Sequence, residues 1–296
     1  MFKNVLVGVD GNPNGRDAIA LASQLIDPNG KLTLAHIHSG ELRASHAISP
    51  EIVRREREVS KKLLKDERAA ANVNAELISI VSGTPGRGLH QQADEQDADL
   101  LVVGSCGHGA FGRAMLGDDT RAALNGAPCA VAIASRGYAE RAGGAGSQIA
   151  KIGVAYNDSP ESRGALALAR ELAARTSATV HVLEVVSIPT YAYTGIVPPA
   201  IGESIEVMIQ EANGRMKALA DVEGHAVYGL AGEELAAFGD QVDILVVGSR
   251  GYGPVKRLVL GSTSDYLQRH ARCSLLVLPR PLTGEHQDES QTDATG

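Results

Sequence analysis

Cysteine is scarce in this chain of 296 residues: Cys106, Cys129 and Cys273 are an odd number, widely separated and without a C-x-x-C pair. This excludes a disulfide framework, gives no zinc site, and points to a reducing compartment. Basic residues are outnumbered, with 28 Lys and Arg against 35 Asp and Glu and a net charge of -7. No broad basic face is available to neutralise the phosphates of a duplex, so nucleic acid is not an expected partner. The acidic surface chiefly implies solubility. Long apolar runs are also missing, and none approaches the ~20 residues that cross a bilayer. The run Val5 to Val9 is too short for the hydrophobic part of a signal peptide. No membrane partner is expected, and the cytoplasm is the expected location. Walker Gly-Lys-Ser/Thr, G-x-S-x-G and H-E-x-x-H sequences are all absent, so no common catalytic set stands out.

What is present is enough apolar material, 44% of the residues, for one large core or two ordinary ones. The halves repeat each other. Asp97 to Ser105 (DADLLVVGS) matches Gln241 to Ser249 (QVDILVVGS), so that Gly104 aligns with Gly248 at an offset of 144. The offset holds from Gly107 and Gly251 to Cys129 and Cys273, while Asp10 aligns with Asn157 at an offset of 147. A three-residue insertion or deletion accounts for the difference.

Each half reads as strands alternating with helices. Apolar runs predict strands at 4–9, 32–37, 75–81, 99–103 and 129–134, and again at 151–156, 179–186, 225–228, 243–247 and 273–278. Short Val-, Ile- and Leu-rich runs between helices indicate parallel sheets covered on both faces. The expected fold is α/β, two tandem doubly wound five-stranded domains of Rossmann-like form. The segment 51–71 is charged but carries Ile52, Val59 and Leu63 at helical spacing, predicting a helix that packs this stripe on the sheet. Its Arg and Lys are interleaved with Glu, which argues against a basic binding stripe. The expected division is a first domain at 1–136, a Gly- and Ala-rich linker at 137–148, a second domain at 149–281 and a disordered polar tail at 282–296.

In open doubly wound sheets ligands bind beyond the carboxyl ends of the strands, where the strand order reverses. The loops after the first and fourth strands of each half are therefore the candidates. In the second half Gly248-Ser249-Arg250-Gly251 is followed, after nine residues, by Gly261-Ser262-Thr263. Glycines let the backbone approach a phosphate, and the stretch from Gly261 opens a helix whose N–H groups and dipole attract anions. Ser262 and Thr263 add hydroxyl donors. The competing reading is that the glycines only turn the chain and Ser262 is an N-cap.

The pattern G-x2-G-x9-G-[ST], the order of elements and the duplication together resemble the universal stress protein family in its tandem, ATP-binding form, over nearly the whole chain to about Pro281. The resemblance implies that ATP is the ligand and that the protein regulates a stress response rather than turning substrate over rapidly. It implies binding residues Asn157, Val185, Val247, Gly248, Gly251, Gly261, Ser262 and Thr263 in the second half, and Asp10, Ile37, Val103, Gly104, Gly107 and Gly117 in the first. It also implies an intramolecular pseudo-dimer joined at the last strands, and leaves a homodimer of whole chains open. Both halves depart from the pattern. Gly117 is followed by Asp118 and Asp119, which weaken triphosphate binding by repulsion unless Mg2+ bridges them, or act only as acidic helix caps. Asn157 replaces an acid, with Asp158 beside it, and an amide still hydrogen-bonds a ribose or base.

Two further readings stand beside the regulator: a slow ATP-hydrolysing or autophosphorylating enzyme, and a nucleotide-free interaction module. His36 and His38 share a strand face but lack an evident third metal ligand, which favours polar packing. His108 and Cys106 fall in the first glycine loop, and Lys256 and Arg257 follow the second. His108, Lys256 and Arg257 each have a bland surface reading beside a phosphate-related one, and Cys106 is read either as a redox-sensitive thiol or as an inert loop cysteine.

Overall fold

A computed structural model describes residues 1–38, 50–105, 125–142, 149–187, 199–249, 258 and 261–279. The first half contributes β1 (Phe2–Gly8), α1 (Pro13–Leu25), β2 (Ile26–His38), α2 (Pro50–Ala71), β3 (Glu76–Val81), α3 (Pro85–Glu95), β4 (Leu100–Gly104) and β5 (Ala130–Ala134). A short helix, α4 (Tyr138–Ala142), leads to β6 (Lys151–Tyr156), α5 (Pro160–Thr176), β7 (Thr179–Val186), α6 (Pro199–Ala218), β8 (Glu223–Tyr228), α7 (Ala231–Gly239), β9 (Ile244–Gly248), α8 (Ser262–His270) and β10 (Ser274–Leu278). The tail expected from 282 onward lies outside the described residues.

All ten described strands form one sheet in the order β3-β2-β1-β4-β5-β10-β9-β6-β7-β8. Within each half the strands are parallel, and the halves meet in a single antiparallel pair, β5 with β10. Alternation along the strands sorts the side chains into two cores, as a period of two requires. Val5, Val7, Leu100, Val102, Ala132, Ile152, Val154, Ile244, Val246 and Leu276 face α1, α2, α5 and α6. Leu6, Leu101, Val131, Ile133, Leu245, Leu275 and Val277 face α3, α7 and α8. Each core runs across both halves.

Further contacts tie the halves together. Ser135 donates its backbone N–H to Ser274 Oγ at 3.2 Å. Arg175 of α5 donates to the carbonyl oxygens of Gln24 and Ile26, and the Met1 amine pairs with Glu171. Asp17, 3% exposed, accepts from the N–H groups of Gly137 and Ala139 at 2.8 and 2.7 Å, so a carboxylate in α1 caps α4. Gly164 stands at the aligned position of the second half.

One helix-face expectation needs correction. Val59 is 59% exposed, and the inward face of α2 runs instead through Ser60, Leu64 and Glu67, with Leu63 half-buried. Polar groups beneath α2 account for this: Glu56 lies 3.5 Å from His38 of β2, and Glu67 pairs with Arg16 of α1 at 3.1 Å. Hydrophobicity alone does not orient a helix over a partly polar floor.

Candidate functional site

At the carboxyl end of β1 the side chain of Asp10 accepts from the Asn12 N–H at 3.0 Å and from Asn12 Nδ2 at 2.7 Å. Gly11 between them has φ +80°, and Pro13 opens α1. The second half repeats the turn: Asn157 Oδ1 accepts from the Ser159 N–H at 3.3 Å, Asp158 has φ +58°, and Pro160 opens α5. A side-chain oxygen folding back two residues along the chain needs only an acceptor, so Asn157 replaces Asp10 without changing the turn. The replacement adds an amide donor at the mouth of the second half.

The strand-end glycines bring these turns against the fourth strands. A Cβ on Gly104 would sit 2.1 Å from the Asn14 carbonyl oxygen, and one on Gly248 would sit 2.6 Å from Glu161 Cβ. The first turns of α1 and α5 thus rest directly on the ends of β4 and β9, at the points where the strand order reverses and where a doubly wound sheet takes its ligands in a crevice. Val103 and Val247 turn buried side chains into the core, 7% and 3% exposed, so their peptide groups are what they can offer a ligand. Ile37 and Val185 are half-buried near the carboxyl ends of β2 and β7.

In the second half α8 crosses from the carboxyl end of β9 back to the start of β10, which is parallel to β9, so its N-terminus lies at the crevice end of the sheet. Gly261 is the N-cap, with φ -78° and ψ 167°, and no side chain caps the helix. The reading of Ser262 as N-cap is thereby corrected: Ser262 is the first helical residue, exposed, with Thr263 half-buried behind it. The first-turn N–H groups and two hydroxyls are what an anion would meet there. Gly107, Gly117, Gly251, Cys106, His108, Asp118, Asp119, Lys256 and Arg257 lie outside the described residues.

The sequence reading missed a polar network beside this crevice. The Tyr156 hydroxyl donates to Asp158 Oδ1 at 2.9 Å, and Arg163 pairs with the same oxygen at 2.9 Å. These two bonds, the tyrosine's first, hold the Asp158 carboxyl below the usual carboxylate range, while burial pushes the Tyr156 phenol up. On the adjacent strand Glu184, 7% exposed, pairs with Arg215 of α6. A glutamate inside the apolar run of β7 was the available signal. His36, also read as a possible ligand, uses Nδ1 on the Val9 carbonyl at 2.7 Å. Among the described residues no group of three His, Cys, Asp or Glu side chains is placed to hold a metal ion.

Two surface hollows lie away from the crevice. One of about 550 Å³ runs between the end of α5 and the starts of β7 and β8. The other, about 310 Å³, sits where the halves meet, lined by Ser135, Tyr138, Arg141, Asp240, Asp243 and Arg272 among others. The crevice is the better candidate because both halves build it the same way, from an Asx turn, a helix start and a strand-end glycine. Among the described residues no helix is long and apolar enough to cross a membrane.

Comparison with known proteins agrees with this architecture. The sequence profile described as the Universal stress protein family matches residues 1–135 and again 148–279. A universal stress protein of Mycobacterium bovis is 27% identical over 293 residues, covering 92% of this chain and 96% of its own. One from Thermus aquaticus is 29% identical over 136 residues, 45% of this chain and 98% of its own. The crystal structure of a universal stress protein from Archaeoglobus fulgidus superposes with a TM-score of 0.62 at 17% identity, covering 94% of this chain and 98% of that one, which establishes likeness of fold. With the profile matched twice and nearly end to end, the chain belongs to the universal stress protein family as a tandem, two-domain member.

Proposed function

We propose that the chain binds ATP at the crevice of its second half and acts as a regulator whose nucleotide state alters its conformation or its partners, with turnover slow or absent. The observation that carries this reading is the glycine-capped start of α8 at the crevice end of the sheet, with Ser262 and Thr263 in its first turn. Uncapped N–H groups and a helix dipole supply a site for phosphate oxygens. Asn157 supplies an amide for ribose or base, and Val185 a strand backbone within the same half. Among the described residues the Asp158 carboxylate is engaged by Tyr156 and Arg163, which leaves it poorly suited to act as a base for a water attacking a γ-phosphate. The deciding experiment is mass spectrometry of small molecules released from the purified protein, followed by calorimetric titration with ATP, with and without magnesium. Released adenine nucleotide and saturable binding support the reading. Hydrolysis at about 1 to 1000 per second, the ordinary enzyme range, would replace the regulator with an enzyme.

A further inference from the structure

Leu258 lies three residues before the N-cap Gly261 and is fully buried. Its N–H donates to the Ala127 carbonyl at 2.8 Å, and its own carbonyl accepts from the Gly126 N–H at 2.9 Å. Gly126 and Ala127 belong to the first half, in the turn that enters β5, where Gly126 has φ +90°. The Leu258 side chain joins the core that contains Ala127, Cys129 and Val131 of the first half and Leu267 and Ala271 of the second. The chain entering α8 is therefore fastened, by two backbone bonds and a buried side chain, to the opposite half of the molecule. Three residues span at most about 11 Å, so the N-cap cannot stray far from the first half while this clip holds.

We propose that the first half is a working part of the second half's nucleotide site: Leu258, clipped to Gly126 and Ala127, is a positioning residue that sets where the first-turn amides of α8 stand. This rests on the reading of α8 as the phosphate-binding helix. A helix start already held in place spares the ligand the entropy of ordering it, which is how preorganisation raises affinity. Linkage makes the effect reciprocal. If the docked Leu258 favours nucleotide, nucleotide favours the docked Leu258, and occupancy is felt at the Gly126 turn and at β5, the strand that joins the halves.

The test uses the full-length chain with ATP as probe. Hydrogen exchange at the Gly126 amide is followed with and without saturating ATP, and ATP affinity is measured by calorimetry for the wild type, Leu258→Ala and Leu258→Met. ATP is expected to slow exchange at Gly126. Leu258→Ala should bind about tenfold more weakly, within the range of coupling between linked sites. Leu258→Met, close in volume, should recover most of that loss. Leu258→Val gives the same readings at smaller amplitude should alanine prevent folding. A leucine with only a structural role would lower the melting temperature of Leu258→Ala and leave the affinity of the folded protein unchanged. That result, or Gly126 exchange indifferent to bound ATP, overturns the clip and leaves the nucleotide site standing. A wild-type chain that takes up no ATP removes both.

Discussion

Ala132 and Leu276 face each other at the centre of the antiparallel join between β5 and β10, and they are the same position of the internal repeat, 144 residues apart. Val131 opposes Val277 and Ile133 opposes Leu275, so the flanking pairs exchange reciprocally. An approximate two-fold axis passes through the Ala132–Leu276 pair. This is the isologous contact of a symmetric dimer, made within one chain. Both side chains enter the same core, and a small residue opposite a large one fills the space at the axis.

Leu276→Ala should therefore cost about 2–5 kcal/mol of stability, and Ala132→Leu about 1–3 kcal/mol by overpacking. The exchanged double variant, Ala132→Leu with Leu276→Ala, should recover much of the combined loss, because the two residues share one space. Denaturant unfolding of the four proteins measures this. Strictly additive losses would show that the two side chains do not share packing.

Gly104→Ala and Gly248→Ala should both destabilise the fold, since their added methyls would meet the Asn14 carbonyl at 2.1 Å and Glu161 Cβ at 2.6 Å. The effect should be larger at Gly104, where the obstacle is backbone. Thermal unfolding ranks the two. Because Gly248 seats the turn that carries Asn157, its variant should also weaken ATP binding, measured by titration below the melting range.

Gly261→Glu should abolish nucleotide binding in the second half, by occupying the phosphate position and adding a repelling charge. Ser262→Ala should weaken it about tenfold to a hundredfold, the loss of one hydrogen bond to a charged group. In the first half Asp118→Ser should strengthen binding if the carboxylates repel phosphate, and weaken it if they recruit magnesium. Calorimetry with and without magnesium reads all three, and an unchanged stoichiometry in Gly261→Glu would move the site elsewhere.

Cys129 and Cys273 should resist alkylation in the native protein. Burial pushes both thiols up to about 12, so the reactive thiolate is almost absent at pH 8 and appears only in strong alkali or on unfolding. Peptide mass spectrometry after iodoacetamide treatment, native and denatured, checks each cysteine separately. Rapid native labelling of Cys129, the fully packed one of the two, would contradict the packing around the last strands.

The strands and the repeat were legible because their signals are local. The runs at 151–156 and 179–186 coincide with β6 and β7 to the residue, since continuous Val, Ile and Leu bounded by turn residues fit a doubly covered strand. The helix start at Gly261 was legible for the same reason, being set by four or five neighbouring residues. Val59 misled because the stripe on α2 depends on His38 and Arg16, which reach it from other elements. The Tyr156–Asp158–Arg163 bonds and the Glu184–Arg215 pair left only a faint trace, a glutamate in an apolar run.

By itself, then, the amino-acid order determined the duplication, the α/β alternation, the placement of the glycine loops and the family resemblance. Tertiary structure alone decided which residue stands on the two-fold axis, that Asp17 caps a helix more than a hundred residues away, and that Leu258 is fastened to the first half. Periodicity and turn chemistry are properties of adjacent residues and are written along the chain. Partners far apart in sequence are chosen by how two faces pack, and a backbone bond such as Leu258 to Ala127 involves groups that every residue carries.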